Sequence, residues 1–210
     1  MMPLDFLPVL EESALILPVG AWVLATAVEQ ARSWIAQGQM LTVSVSLSAR
    51  QFYQRDIARN FAAVLEAAGV PGHCIELEIA AGILIDSNQN CELILRQFRQ
   101  LGMAIAISDF GTGDASLTYL KRFPTDAVKI EKCFVDDLGK PGGDGAMVRA
   151  IVAMARTLGL RTIAGGVESG AQLELLAEMG CDEAFGYCLG RAMAPEGIEV
   201  LLKSSAVIQN

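Results

Sequence analysis

Ser108-Asp109-Phe110-Gly111-Thr112-Gly113 follows directly on the apolar run Met103-Ala104-Ile105-Ala106-Ile107. A short apolar run ending at turn residues is the pattern of a strand buried on both faces of a sheet. An acid at the end of such a strand, followed by two glycines, delivers a carboxylate to the sheet edge. On either side of this stretch the chain alternates between the two hydrophobic periods. Leu41–Leu47, Cys74–Ile79, Ala127–Ile130, Thr162–Ala164 and Glu183–Tyr187 read as further strands. Cys74-Ile75-Glu76-Leu77-Glu78-Ile79 sets two acids on one face and aliphatic residues on the other. Gly20–Gln37, Asp56–Ala68, Gln89–Leu101, Ser116–Arg122, Ala146–Leu158, Gly170–Met179 and Pro195–Lys203 read as helices, several closed by glycine. Lys140–Gly145 reads as a flexible loop.

Roughly six strands alternating with helices predict parallel βαβ units in an α/β fold. Ser46, Glu78, Asp109, Lys129, Glu131 and Glu168 all fall where strands end. In a (β/α) barrel that edge is the active face. Six strands are too few for an eight-stranded barrel, so either two strands are missing or the sheet stays open.

Composition narrows the function. The 210 residues suit one domain spanning 1–210, with 52% hydrophobic and 19% charged residues. The formal net charge of −8 and the lack of a Lys/Arg cluster argue against a nucleic-acid partner or an anionic membrane surface. No apolar run reaches the ~18 residues of a membrane span, and no secretory leader is visible. The five cysteines (Cys74, Cys91, Cys133, Cys181, Cys188) lack Cys-x-x-Cys spacing and read as free buried thiols in a reducing, cytoplasmic setting. His73, the one histidine, lies in a turn and has no second histidine with which to form a zinc site.

Several segments, in order and at strand ends, together resemble the EAL-domain family of bacterial cyclic di-GMP phosphodiesterases and their non-catalytic relatives. Asp5-Phe-Leu-Pro-Val-Leu-Glu-Glu-Ser-Ala-Leu-Ile16 is similar to the family's F-I-P-L-A-E-E-x-G-L-I. Ser46-Leu-Ser-Ala-Arg-Gln-Phe52 is similar to N-L-S-A-x-Q-F, and Leu77-Glu-Ile-Ala-Ala81 to L-E-I-T-E. Ser108-Asp-Phe-Gly-Thr-Gly113 is similar to D-D-F-G-T-G, Ala164-Gly-Gly-Val-Glu168 to A-E-G-V-E, and Phe185-Gly-Tyr187 to Q-G-Y. The resemblance covers nearly the whole chain and implies a TIM-type barrel. The Glu-Ala-Leu segment that defines the family has no counterpart, so the barrel is expected to be incomplete, lacking its first two strands.

The resemblance implies chemistry in which two divalent cations, Mg²⁺ or Mn²⁺, activate a water against a phosphodiester. Glu78, Asp109 and Glu168 match metal-binding acids, Lys129 matches the catalytic lysine, and Glu131 stands for an aspartate. Arg191 matches a ligand-contacting segment weakly. Other family positions are lost: Ser46 stands for an amide ligand, Ala81 and Ser108 for acids, Gly165 for an acid and Phe185 for a glutamine. Hard cations need several fixed oxygen ligands, and too few remain for two coordination spheres. The expectation is therefore a degenerate domain without resident metal, a regulatory or protein-interaction module of cyclic di-GMP signalling that forms a homodimer. The alternatives are a metal-independent cyclic di-GMP receptor and a residual metal-dependent phosphodiesterase. Bland roles are open too: Glu78 pairing with Lys129 across adjacent strands, Asp109 holding its glycine turn, Glu168 capping the helix near Gly170, and Arg191 as a surface arginine.

Overall fold

The computed structural model describes residues 3–85, 90–112, 117–140 and 142–208. Gly113 of the opening motif, Pro141 of the expected loop, and Gln89 and Ser116, where two helices were expected to start, lie outside them. Strands β1 (Val43–Leu47), β2 (Ile75–Ala80), β3 (Ala104–Ser108), β4 (Ala127–Ile130), β5 (Arg161–Gly165) and β6 (Glu183–Phe185) form one sheet in chain order. Every neighbouring pair is parallel. The sheet is an open half-barrel, with β1 and β6 as its edges.

Between the strands run the helices α1 (Pro3–Glu12), α2 (Ile16–Ala36), α3 (Ala49–Phe52), α4 (Ile57–Ala68), α5 (Ala81–Ile85), α6 (Asn90–Gln100), α7 (Leu117–Arg122), α8 (Lys132–Asp136), α9 (Gly145–Thr157), α10 (Gly170–Glu178) and α11 (Pro195–Ile208). Period-two alternation divides each strand between two surroundings. Ile75, Leu77 and Ile79 of β2, Ile105 and Ile107 of β3, and Val128 and Ile130 of β4 are fully buried. They join one continuous core with Phe61 and Leu65 of α4 and Leu95 and Phe98 of α6. Phe61 and Phe98 meet edge to face, with ring centroids 5.2 Å apart. The alternate residues line the concave side, where Ala106, Ala127 and Ile163 form a small apolar floor.

The long elements match the sequence reading to within a few residues, with two instructive exceptions. The first long helix starts at Ile16, not Gly20, and α1 precedes it. Pro18 is no obstacle, because it sits in the first turn, where its missing N–H leaves no bond unmade. Gly20 stays in the helix because Gln51 packs against it; a Cβ there would lie 1.7 Å from Gln51 Nε2. The one-turn helices α3, α5 and α8 are too short to show a period and were not foreseen. The cysteines are free, as expected, but only Cys74 and Cys91 are buried. Cys181 is partly covered, and Cys133 and Cys188 are exposed. Among the described residues no helix is long and apolar enough to cross a membrane.

Two expectations follow from the packing. Phe98→Ala removes a fully buried ring from the core and should lower the free energy of unfolding by about 3–5 kcal/mol in urea titrations. At the other side of the barrel, the Asp182 carboxylate accepts both the backbone N–H and the hydroxyl of Thr162, each at 2.8 Å. The Thr162 backbone N–H first, and then its hydroxyl, hold the Asp182 pKa below the usual aspartate value. A depressed carboxylate contributes stability that is present above its unfolded pKa, about 3.9, and lost as pH falls through the folded value. Asp182→Asn should therefore flatten the acid limb of the stability–pH curve below about pH 4, read by thermal melts across an acid series.

Candidate ligand site at the strand ends

Parallel strands in sequential order bring all their C-terminal ends to one rim, and the concave face leads up to it. Glu78 of β2 and Lys129 of β4 meet there, Nζ to Oε1 at 2.7 Å, with side chains only 18% and 16% exposed. They do not pair across adjacent strands as expected, because β3 lies between them. In the register Glu78 faces Ala106 of β3, and Ala106 faces Ala127 of β4. Lys129 lies two residues beyond Ala127, and the pair reaches across β3, where Ala106 is small. Lys129 Nζ also sits 4.8 Å from the centroid of the Phe185 ring, a cation–π distance. One ammonium is thus held between a carboxylate and an aromatic face.

Deeper in the hollow, Arg161 Nη2 reaches Glu76 Oε2 at 2.7 Å, and its other terminal nitrogen pairs with Glu183. Burial opposes the Arg161 charge, yet the hydrogen bond and charge of Glu76, together with those of Glu183, hold its pKa above the usual arginine value. This cluster was missed in the sequence, although the matching phase of Glu76 and Glu78 was a partial signal. The hollow has a volume of about 500 Å³ and is lined by Glu76, Glu78, Ala104, Ala106, Lys129, Arg161 and Phe185 among others. A neighbouring cleft of about 390 Å³ lies at the ends of β1, β2 and β3. Ser46, Glu78, Ala80, Ser108 and Asp109 line it, with Glu11 from α1. Ser46 and Ser108 therefore share a cleft with Glu78 and Asp109, whereas Ala81 is buried at the start of α5.

The remaining acids are held apart. Asp109 has φ +57°, and its backbone N–H donates to Glu131 Oε1 at 2.9 Å. Its carbonyl accepts the Thr112 hydroxyl at 2.8 Å, so Thr112 and Glu131 hold this turn through the backbone of Asp109. The methylene that distinguishes Glu131 from an aspartate is used to span from β4 to the β3 turn. Glu168 does not cap the following helix. Ser169 does, in a reciprocal capping box with Gln172. The Glu168 carboxylate instead accepts from Lys132 Nζ at 2.8 Å, and Lys132 also reaches Asp136 at 2.6 Å. The Asp136 carboxylate, and then Glu168, hold the Lys132 pKa above the usual lysine value. Lys132 was missed too; its i,i+4 relation to Asp136 was the available clue. Gly166, at φ +76°, makes room for it, since a Cβ there would lie 2.5 Å from Lys132 Cγ. Arg191 lies away from this arrangement, exposed and stacked over Tyr187 at 5.6 Å.

The donor set does not fit a pair of divalent cations. Glu78 is taken by Lys129 and Glu168 by Lys132, and position 165 offers no side chain. Among the described residues no three of His, Cys, Asp and Glu converge closely enough to hold one metal ion.

A six-stranded parallel half-barrel with an acid–lysine pair at the strand ends defines a (β/α)-barrel protein with its polar site on the C-terminal rim. The profile of the EAL domain matches residues 1–192, and the chain belongs to the EAL-domain family. It is 41% identical over 198 residues to the bifunctional diguanylate cyclase/cyclic di-GMP phosphodiesterase MucR of Pseudomonas aeruginosa, covering 92% of this chain and 28% of that protein. It is 38% identical over 197 residues to the cyclic di-GMP phosphodiesterase PdeR of Escherichia coli, covering 94% and 30%. The signaling protein YkoW of Bacillus subtilis is also 38% identical over 197 residues, covering 94% and 25%. The chain thus spans between a quarter and a third of the length of these relatives. Among solved structures, a phosphodiesterase PaMucR in complex with c-di-GMP superposes with a TM-score of 0.91 at 37% identity, covering 94% of this chain and 81% of that one. The EAL enzyme Bd1971 in its form bound to cAMP and cyclic di-GMP superposes with a TM-score of 0.90 at 27% identity, covering 96% and 56%.

The Glu78–Lys129 pair makes a double-mutant cycle informative. Lys129→Met leaves Glu78 without its cation in a largely covered position and should cost about 1–3 kcal/mol. Adding Glu78→Gln removes the stranded charge and should recover part of that loss. A loss in the double variant equal to the sum of the losses from Lys129→Met and Glu78→Gln alone would show that the pair carries no coupling.

Proposed function

We propose that this chain is a degenerate EAL domain, a single unit over residues 1–210, that serves bacterial cyclic di-GMP signalling as a non-catalytic regulatory or protein-interaction module. One observation carries this reading: two of the three acids that match the family's metal ligands are neutralised by lysines of the same chain, Glu78 by Lys129 and Glu168 by Lys132. Metal-assisted phosphodiester cleavage needs open carboxylates converging on cations beside an activated water. Losing a single oriented catalytic group typically costs ~10²–10³ in rate, and several differ here together, though such losses are not additive. The module acts in the cytoplasm as a homodimer, and the open edges of β1 and β6 give it a physical reason to associate.

The chain's backbone likeness to a solved cyclic di-GMP complex favours a second reading, a receptor that binds the dinucleotide without metal and without cutting it. The pairing of Lys129 with a carboxylate weighs against it, because Lys129 would have to give up Glu78 to meet a phosphate. The experiment incubates the 210-residue protein with cyclic di-GMP and millimolar Mg²⁺ or Mn²⁺ and follows linear pGpG by chromatography. The expected outcome is no product above a protein-free control. Product that disappears with EDTA overturns the proposal in favour of a phosphodiesterase, and calorimetric binding without metal establishes the receptor.

A further inference from the structure

Gly165 and Phe185 face each other in the β5–β6 register. The Phe185 ring rests over the backbone of Gly165, where a Cβ would lie 2.9 Å from ring Cζ and 3.2 Å from Cε1. From that seat the ring reaches the Lys129 ammonium at 4.8 Å, while Glu78 holds the same ammonium at 2.7 Å. Gly165 is buried, Lys129 is 16% exposed, and Phe185 is 45% exposed, so the ring forms the outer wall of this cluster. A side chain at 165 and the ring at 185 cannot both occupy this space without displacement. The ring is the part free to move, since its other side meets solvent.

We infer that Phe185 and Gly165 form a single two-residue plug, in which the notch left by glycine seats the ring and the ring closes the Lys129 ammonium off from anionic ligands. Phe185 is a positioning residue: it keeps Lys129 turned toward Glu78, and its place depends on the absence of a side chain at 165. The chemistry at this rim is therefore blocked by a group that has been added as well as by ligands that are missing. The plug deepens the reading of the rim as a closed site and rests on that reading for its functional meaning. Its test measures lysine access and is decided separately from any assay of turnover.

The experiment is competitive acylation of the intact 210-residue protein with a limiting N-hydroxysuccinimide ester, followed by mass spectrometry of each lysine. Lys140, 62% exposed, serves as the internal reference. Phe185→Ala should raise the Lys129 rate relative to Lys140 by about threefold or more, since it removes both the cover and a cation–π contact. Phe185→Tyr keeps a ring and should stay near the original rate. Gly165→Ala, which pushes the ring off its seat, should behave like Phe185→Ala. In the double variant Gly165→Ala adds nothing further, because no ring remains to be displaced. The inference is overturned if Phe185→Ala leaves Lys129 as slow as before, if Phe185→Tyr speeds it equally, or if Gly165→Ala accelerates Lys129 as much without the ring as with it. Phe185→Ala trims a half-exposed side chain at an edge strand, so the decisive comparison with Phe185→Tyr stands even if Gly165→Ala folds poorly.

Discussion

Side-chain length on the concave face of the parallel sheet governs the arrangement at the rim. Inward residues of neighbouring strands lie side by side, so a long side chain reaches a partner two strands away across small intervening side chains. On β3 Ala106 is one of these, and Glu78 and Lys129 meet across that strand. Gly165 plays the same part on β5, where the missing side chain admits the Phe185 ring. The site is thus shaped as much by its small residues as by its charged ones.

Charge follows the same economy. The domain carries a formal net charge of −8, yet acids along the concave face and at its rim are paired with cations of the same chain. Glu76 and Glu183 share Arg161, Glu78 holds Lys129, and Glu168 shares Lys132 with Asp136. Fixed ammonium and guanidinium groups bring single charges on long stems and make separate, directional contacts. Divalent cations would demand that the same carboxylates converge. These are two ways of neutralising acids, and these ion pairs are of the first kind. The exposed Lys132 contacts are screened by solvent and add little to stability; their effect is on where Glu168 points.

Much of the fold was legible in the chain because it rests on local regularities. The period-two run at Ile75–Ala80, the continuous apolar run at Ala104–Ser108 and the period-3.6 pattern of Ile57–Ala68 follow from which faces must leave water. The one-turn helices α5 and α8 were not legible, since five residues cannot display a helical period. At the site, the acids at strand ends and the partner Lys129 of Glu78 could be found from their positions alone. The partners of Glu76 and Glu168 could not. Lys132 and Arg161 lay outside every helix and strand read from the sequence, and the supposed helix cap at Glu168 belonged to its neighbour Ser169.

The sequence by itself determined the alternation of strand and helix and the family, since each is carried by local pattern and residue identity. Only the tertiary structure decided what the remaining groups do. Pairing between Glu78 and Lys129, 51 positions apart in the numbering, depends on sheet register and on the size of Ala106 between them. The seating of Phe185 on Gly165 depends on two strands meeting at one level. Such contacts are properties of the closed space between elements, and no run of residues records that space before the chain has folded.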